Sequence, residues 1–334
     1  MNKKILLVGG CGFIGHNLAI YLKNKGHIPV VVDSLSVNNL YSKEKFTDNN
    51  KLYKLILNNR INLLNENNIN LIVQDARDYH SSSKIYEDIN PDVVIHLAAV
   101  SHANRSNKDP HSTFDHSLRT LENTLDYARY EKKHVIYISS SMVYGNFEKD
   151  SVNEDDLCNP IGIYGSLKLS GEIIVKSYNQ VFDLPYTIVR PSALYGERCV
   201  SRRVGQVFIE NLLHNKDLII NGTGDEKLDF TYIDDLNQGI EKCCVNQNAK
   251  NQIFNLTYGH AKPISEIVNI LKLHFKNFNV IKKDKEQFNP ERGTLNISKA
   301  EKLIDYKPSY SLKDGYSKYI SWYKNFYKKY FSDV

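Results

Sequence analysis

The sequence has no uninterrupted apolar run approaching the roughly 20 residues that a membrane-crossing helix needs. Its N-terminal run, Ile5-Leu6-Leu7-Val8, follows Lys3 and Lys4 but stops at Gly9-Gly10, too soon for the core of a secretion signal. Cysteine is scarce and unpatterned. The five thiols, Cys11, Cys158, Cys199, Cys243 and Cys244, contain no C-x-x-C spacing, and an odd number cannot all pair. Adjacent Cys243 and Cys244 are badly placed to bridge one another, so free thiols in a reducing cytoplasm are expected. Charge of one sign is not concentrated either. The 43 Lys and Arg exceed the 38 Asp and Glu by a net +5, and the basic residues are scattered. Without a basic arm or an aromatic-basic platform, nucleic acid is not an expected partner. The His-rich stretch holding His96, His102, His111 and His116 has no tight ligand spacing and no Cys partner, so no metal is expected.

What the chain does have is length and a buried-strand pattern. Its 334 residues, 41% apolar and 24% charged, suffice for one large or two closely packed domains. Lys4 to Val8 reads as a strand buried on both faces of a parallel sheet. It runs straight into Gly9, Gly12 and Gly15, spaced G-x-x-G-x-x-G, and then into a helical pattern from Asn17 to Lys25. Such glycines permit a tight turn, close backbone approach to a pyrophosphate and close helix packing, and the helix N-terminus adds free N–H groups. Phe13 and Ile14 are carried against the same ligand. A second run, Ile28 to Val32, ends in Asp33, whose carboxylate suits a ribose 2′-OH and repels a 2′-phosphate. Ser34-Leu35 brings no arginine to offset that repulsion, so NAD rather than NADP is the expected cofactor.

The alternation continues. Leu71 to Gln74 reads as a third strand, ending at Asp75-Ala76-Arg77, where Asp75 either meets the adenine amine or caps a loop. Asp92 to His96 leads to Leu97-Ala98-Ala99, small enough to admit the cofactor, and His134 to Ile138 delivers Ser139-Ser140-Ser141. Tyr186 to Val189 is the sixth strand. A helix is expected within the polar insertion 36–68, and another over roughly 113–130. The fold class is therefore α/β, a Rossmann-type doubly wound parallel sheet with a smaller mixed α/β substrate-binding cap. The rhythm breaks near residue 190, dividing an NAD-binding domain, 1–189, from a nucleotide-sugar-binding domain, 190–334, with part of 232–260 packing back onto the first. Apolar residues from Leu312 to Tyr330 recur at helical spacing and predict a C-terminal helix docked on the body rather than lying on a membrane.

Tyr164 and Lys168 are four residues apart, so a helix presents them on one face. An ammonium beside a phenol stabilises phenolate and lowers the tyrosine pKa from roughly 10, and Ser140 adds a second hydroxyl. Alone, such a pair is ordinary surface decoration. In the order glycine turn, Asp33, Asp75-x-Arg77, His96-Leu97-Ala98-Ala99, Ser140-Ser141-Met142-Val143-Tyr144-Gly145, Tyr164-x-x-x-Lys168, Arg190-Pro191 and Tyr195-Gly196, the chain resembles an extended short-chain dehydrogenase/reductase of the nucleotide-sugar epimerase/dehydratase group. The resemblance covers nearly the whole length.

It implies Tyr164 as catalytic base and acid, Lys168 as its pKa-lowering partner and ribose ligand, and Ser140 as the catalytic hydroxyl. The implied reaction is oxidation of a nucleotide diphosphate sugar, usually at C4, by NAD. Relatives that eliminate water carry Asp-Glu after the catalytic hydroxyl, and the xylose-forming decarboxylases carry Glu where Met142 stands. Ser141-Met142 therefore disfavours both and leaves a 4-epimerase or a net 4-dehydrogenase, with a catalytically silent NAD-binding sensor or scaffold as the other class. The usual diphosphate-gripping arginine before Asp-Phe is Leu228 here, which passes the grip to Arg198, Arg202, Arg203, Lys227 or Arg292. GDP-linked sugars, including heptoses for surface polysaccharide, stay open beside UDP- and dTDP-sugars. A small keto acid near His102 and Arg105 is a conceivable second substrate. The resemblance also implies a homodimer paired through the helices that start near Thr113 and Gly162.

Overall fold

The apolar runs of the sequence pair into one seven-stranded sheet in the computed structural model, which describes residues 2–37, 39–42, 50–101, 103–284 and 290–331. Its strands are β1 (Lys4–Val8), β2 (Ile28–Asp33), β3 (Asn70–Val73), β4 (Val93–His96), β5 (His134–Ile138), β6 (Tyr186–Arg190) and β7 (Gln252–Asn255). They lie in the order β7-β6-β5-β4-β1-β2-β3, and every neighbouring pair is parallel. The direction of winding reverses between β1 and β4, which opens a crevice above their carboxyl ends.

Period-two alternation sends successive side chains to opposite layers. Ile5, Leu7, Ile95, Ile136 and Val189 join one core with Leu18 and Leu22 of α1 (Phe13–Asn24). Leu236, Ile240, Cys243 and Cys244 of the helix Ile233–Val245 belong to the same core. Leu6, Val8, Val94, Val135 and Ile188 join the opposite core with Tyr86 of the helix Tyr79–Ile89, Leu121 and Leu125 of Thr120–Tyr130, and Val175 of Gly162–Phe182. All five cysteines are free.

The insertion after β2 contributes α2 (Asn50–Glu66), the helix expected from its amphipathic piece, with residues 38 and 43–49 outside the described set. The helix expected over 113–130 differs in detail. It begins at Pro110 and is broken by a π-turn, Asp115–Arg119, before Thr120–Tyr130. Within this turn Asp115 accepts from Arg77 at 2.7 Å, and the Thr120 hydroxyl donates to the His116 carbonyl at 2.9 Å. Wide turns of this kind recur where a helix must aim side chains at a ligand.

Beyond residue 190 the elements are short and mixed. Lys227–Leu228 pairs antiparallel with Lys262–Pro263, and Leu218–Asn221 pairs parallel with Val280–Lys283. The C-terminal helix, Leu312–Phe331, docks by Leu312, Tyr316, Tyr319, Ile320 and Tyr323, all buried. Tyr316 donates to the Gly205 carbonyl at 2.6 Å and Tyr323 to Glu210 Oε1 at 2.7 Å, so these two tyrosines are anchored at both ring and hydroxyl. Among the described residues, no helix is long and apolar enough to cross a membrane.

The turn after β1 packs closely against the start of α1. A Cβ on Gly15 would fall 2.5 Å from the Gly10 Cα, a backbone atom that cannot swing aside. Gly15→Ala is expected to lower stability by about 1–3 kcal/mol, the usual cost of overpacking, read as a lower urea midpoint at unchanged slope.

Candidate active site

Two adjoining cavities open at the carboxyl ends of the strands. The smaller, about 130 Å³, is lined by Gly9, Gly12, Phe13, Ile14, Gly15, Asp33, Ser34, Asp75, Ala76, Leu97, Ala98 and Ala99, every one expected there from the sequence except for roles still to be assigned. The larger, about 920 Å³, brings together Ser139, Ser140, Ser141, Met142, Tyr164, Lys168, Arg202, Arg203, Lys227 and Arg292. Ile14, Leu97, Ala99, Ser101, Leu194 and Arg203 line both, so the two form one continuous trough.

The lining of the smaller cavity suits the pyrophosphate and adenosine ribose of a dinucleotide. Gly9 has φ +78°, and a Cβ there would strike the Ala98 backbone nitrogen at 2.6 Å. A Cβ on Gly12 would meet only the Gly9 carbonyl, at 3.4 Å, so that side of the turn is open. Gly12 caps α1 with no side-chain hydrogen bond, which leaves the first N–H groups of the helix to a phosphate. Asp33 accepts from the backbone N–H of Cys11 at 2.9 Å and of Leu35 at 2.7 Å. Burial raises its pKa above the usual carboxylate value, while these N–H groups and Arg60 pull it back. Asp75 caps its own loop, Oδ1 accepting from the Arg77 backbone N–H at 3.0 Å while Oδ2 accepts from Arg77 Nη2 at 2.6 Å; the cap of the following helix is Asp78, which accepts from Ser81 N–H at 3.1 Å.

Several lining residues escape a reading along the chain, Gln74, His116, Thr120 and Arg60 among them. Gln74 follows β3 directly. His116 and Thr120 reach the cavity through the π-turn. Arg60 comes from α2, inside the insertion, and donates through Nε and Nη2 to the Arg198 carbonyl at 3.1 and 2.6 Å. An arginine therefore does stand near Asp33, although Ser34-Leu35 supplies none. Arg198 itself lines neither cavity; its guanidinium donates to His16 Nε2 and Asn17 Oδ1, each at 3.0 Å.

In the larger cavity, β5 ends at Ser139-Ser140 and the helix Gly162–Phe182 crosses beside it. Ser140 caps a short 3-10 turn, its Oγ accepting from Met142 N–H at 3.2 Å. Lys168 is buried, donates to the Ile138 carbonyl at 2.7 Å and sits 5.0 Å from the Tyr137 ring centre. Burial lowers its pKa to about 8, with Glu172 acting in the opposite direction.

Tyr164 corrects the simple pair picture. Burial raises its pKa above the ordinary phenol value, and the groups that pull it down are Arg203, the Ser140 hydroxyl and Arg292 rather than Lys168. The protein by itself thus holds Tyr164 as a neutral phenol. Arg292 is the most exacting cation: burial and Arg203 push it down to about 10, and its Nε is buried without a hydrogen-bond partner. A guanidinium in that state favours an incoming anion. Lys227 and Arg202 are exposed at the rim. Leu228 lines the cavity, and the next residue, Asp229, is fully buried. Asp229 accepts from Leu295 and Gly259 N–H and the Thr257 hydroxyl at 3.0–3.2 Å, which fixes this segment. Among the described residues, no group of three or more His, Cys, Asp and Glu could hold a metal ion, and His102 lies outside them.

A glycine turn heading a parallel sheet, with serine, tyrosine and lysine gathered where the strands end, defines an extended short-chain dehydrogenase/reductase. The sequence model of the NAD dependent epimerase/dehydratase family matches residues 5–257, and the chain belongs to that family, with NAD as cofactor. Among solved structures, a UDP-glucuronic acid 4-epimerase from Bacillus cereus in complex with UDP-glucuronic acid and NAD is 30% identical. It superposes with TM-score 0.87 over 97% of this chain and 100% of its own. UDP-glucuronate 4-epimerase 1 of Arabidopsis thaliana is 27% identical over 97% of this chain and 76% of its own length. A dTDP-D-glucose 4,6-dehydratase of Dictyostelium discoideum is 29% identical over 97% and 82%.

Replacing the Tyr164 hydroxyl tests the site directly. Tyr164→Phe is expected to bind NAD as the wild type does, measured by calorimetry. Its turnover is expected to fall by ~10²–10⁴-fold, the range for a lost acid–base group.

Proposed function

We propose that the protein is a 4-epimerase of a nucleoside diphosphate sugar, working by reversible oxidation at C4. The observation that carries this reading is the lining of the larger cavity, where Ser140, Tyr164 and Lys168 share one space with Arg203 and Arg292. Bound NAD supplies the hydride acceptor and donor and a positive ring charge. The remaining work falls to the chain. The N-terminus of α1 and Gly12 receive the cofactor pyrophosphate, and Asp33 accepts from a ribose hydroxyl. Ser140 and Tyr164 hold the sugar hydroxyl, with Tyr164 taking its proton and later returning it. Lys168 orients the cofactor ribose and keeps positive charge beneath the phenol. Arg203 and Arg292, with Arg202 and Lys227 at the rim, hold the sugar's diphosphate.

Met142 lines the cavity at the position after Ser141 and has no proton to transfer, which supports epimerisation over loss of water. Epimerisation also regenerates NAD without a second oxidant, so the reading needs no keto-acid substrate. Mass spectrometry and NMR after incubation with UDP-, dTDP- and GDP-linked hexoses, hexuronates and heptoses test it. The expected result is an isomer of unchanged mass from at least one of them. A product lighter by two hydrogens means net oxidation instead, and no change in any sugar or in bound NAD absorbance favours a silent sensor.

The same reading includes a homodimer. Phe114, Tyr130, Ile173 and Val181 are large apolar residues between 52% and 70% exposed, all on Pro110–Phe114, Thr120–Tyr130 and Gly162–Phe182. Exposed apolar surface on neighbouring helices is what a self-complementary interface covers. Sedimentation at micromolar concentration is expected to give twice the chain mass, and Ile173→Glu is expected to return it to the single-chain value.

A further inference from the structure

Glu172 has no exposed surface and lines neither cavity, yet several elements of the site meet at its carboxylate. Oε1 accepts from the Ser139 hydroxyl at 2.6 Å and from Arg190 Nε at 2.9 Å, and Oε2 accepts from Arg190 Nη2 at 2.7 Å. Arg190 Nη1 donates onward to the Tyr144 hydroxyl at 2.9 Å and the Glu154 carbonyl at 3.1 Å. Tyr144 then donates to Asn255 of β7 at 2.8 Å. The ends of β5, β6 and β7 and the helix carrying Tyr164 and Lys168 are thereby joined through one side chain. Lys168 lies one helical turn before Glu172, on the same face.

We propose that Glu172 is a positioning residue, fixing the β5 end through Ser139 and holding negative charge beneath the Lys168 ammonium so that the lysine stays charged during the reaction. The proposal rests on the reading that Lys168 serves the chemistry at Tyr164. The groups facing Lys168 support it. Tyr164 is on its own helix, the Tyr137 ring faces it from β5 and His96 from β4, and none of these brings an anion at neutral pH. His96 is held neutral, its pKa lowered to about 3 by burial and by Lys168 itself. Burial lowers Lys168 to about 8, and Glu172 is the group that opposes this. Removing its charge therefore moves the lysine's titration further down, and a larger fraction is neutral at pH 7 to 8.

A titration needing no sugar substrate separates this proposal from the 4-epimerase reading. NMR of isotope-labelled lysine in the NAD-loaded full chain, with the Lys168 signal assigned by its loss in Lys168→Arg, gives the midpoint directly. Glu172→Gln keeps the shape and an acceptor for Ser139, and it is expected to move the midpoint down by about one pH unit. Glu172→Gln also leaves Arg190 buried without a counter-charge. Glu172→Met/Arg190→Met removes both charges as a neutral pair, a change buried ion pairs tolerate, and is expected to shift the midpoint in the same direction by less. With an active nucleotide sugar, the alkaline limb of the kcat profile is expected to follow the midpoint, and Glu172→Asp to restore it partly. An unchanged Lys168 midpoint in either folded variant overturns the proposal.

Discussion

The reversal of winding between β1 and β4 is the constraint on which the rest of the molecule depends. A connection from β1 to β2 runs to one side, and the connections from β4 onward run to the other, so no helix covers the strand ends between them. The residues that follow or close the strands collect there because every strand is parallel and points the same way. Gly9 follows β1, Asp33 closes β2, Leu97 follows β4, Ser139 follows β5 and Arg190 closes β6. The sheet brings residues separated by more than a hundred positions to one rim with no contribution from loop design.

The segment that roofs this rim carries unusual backbone conformations. Ala193 has φ 36°, Arg198 φ 64° and Arg202 φ 51°, all left-handed and none glycine. Each such residue costs on the order of 1 kcal/mol unless its surroundings enforce it. The enforcement is visible: α2 grips the Arg198 carbonyl through Arg60, α1 grips the Arg198 side chain through His16 and Asn17, and Gln206 accepts from the Arg202 N–H. Arg198 was expected among substrate ligands for its charge. Its placement instead makes it a strut that holds the segment carrying Arg202 and Arg203 against the cofactor half.

Legibility in the sequence followed the range of the interactions involved. The six strands of the first half, the glycine turn and Asp33 are local patterns, since strand burial, turn geometry and helix start are all decided within about ten residues. The gathering of Ser140, Tyr164 and Lys168 was legible because topology compels it. Arg60 gave no local signal: it is one arginine in a polar helix, and its burial depends on a carbonyl 138 positions away. His116 and Thr120 were hidden by a single extra residue in a helix, which rotates everything after it. The surroundings of Tyr164 were only partly legible for a related reason. Spacing placed Lys168 near the phenol, but spacing carries no information on how deeply the phenol is buried or on arginines arriving from residues 203 and 292.

The last strand of the sheet has a consequence for how the chain reaches this state. β7 is drawn from residues 252–255, more than sixty positions after β6, the strand it pairs with. Until the ribosome has released that segment, β6 presents an open edge of unpaired amides and carbonyls, the kind of surface on which partly made chains stick together. Closing this edge of the sheet therefore depends on a segment from beyond residue 190, and no cut of the chain between β6 and β7 leaves the sheet complete.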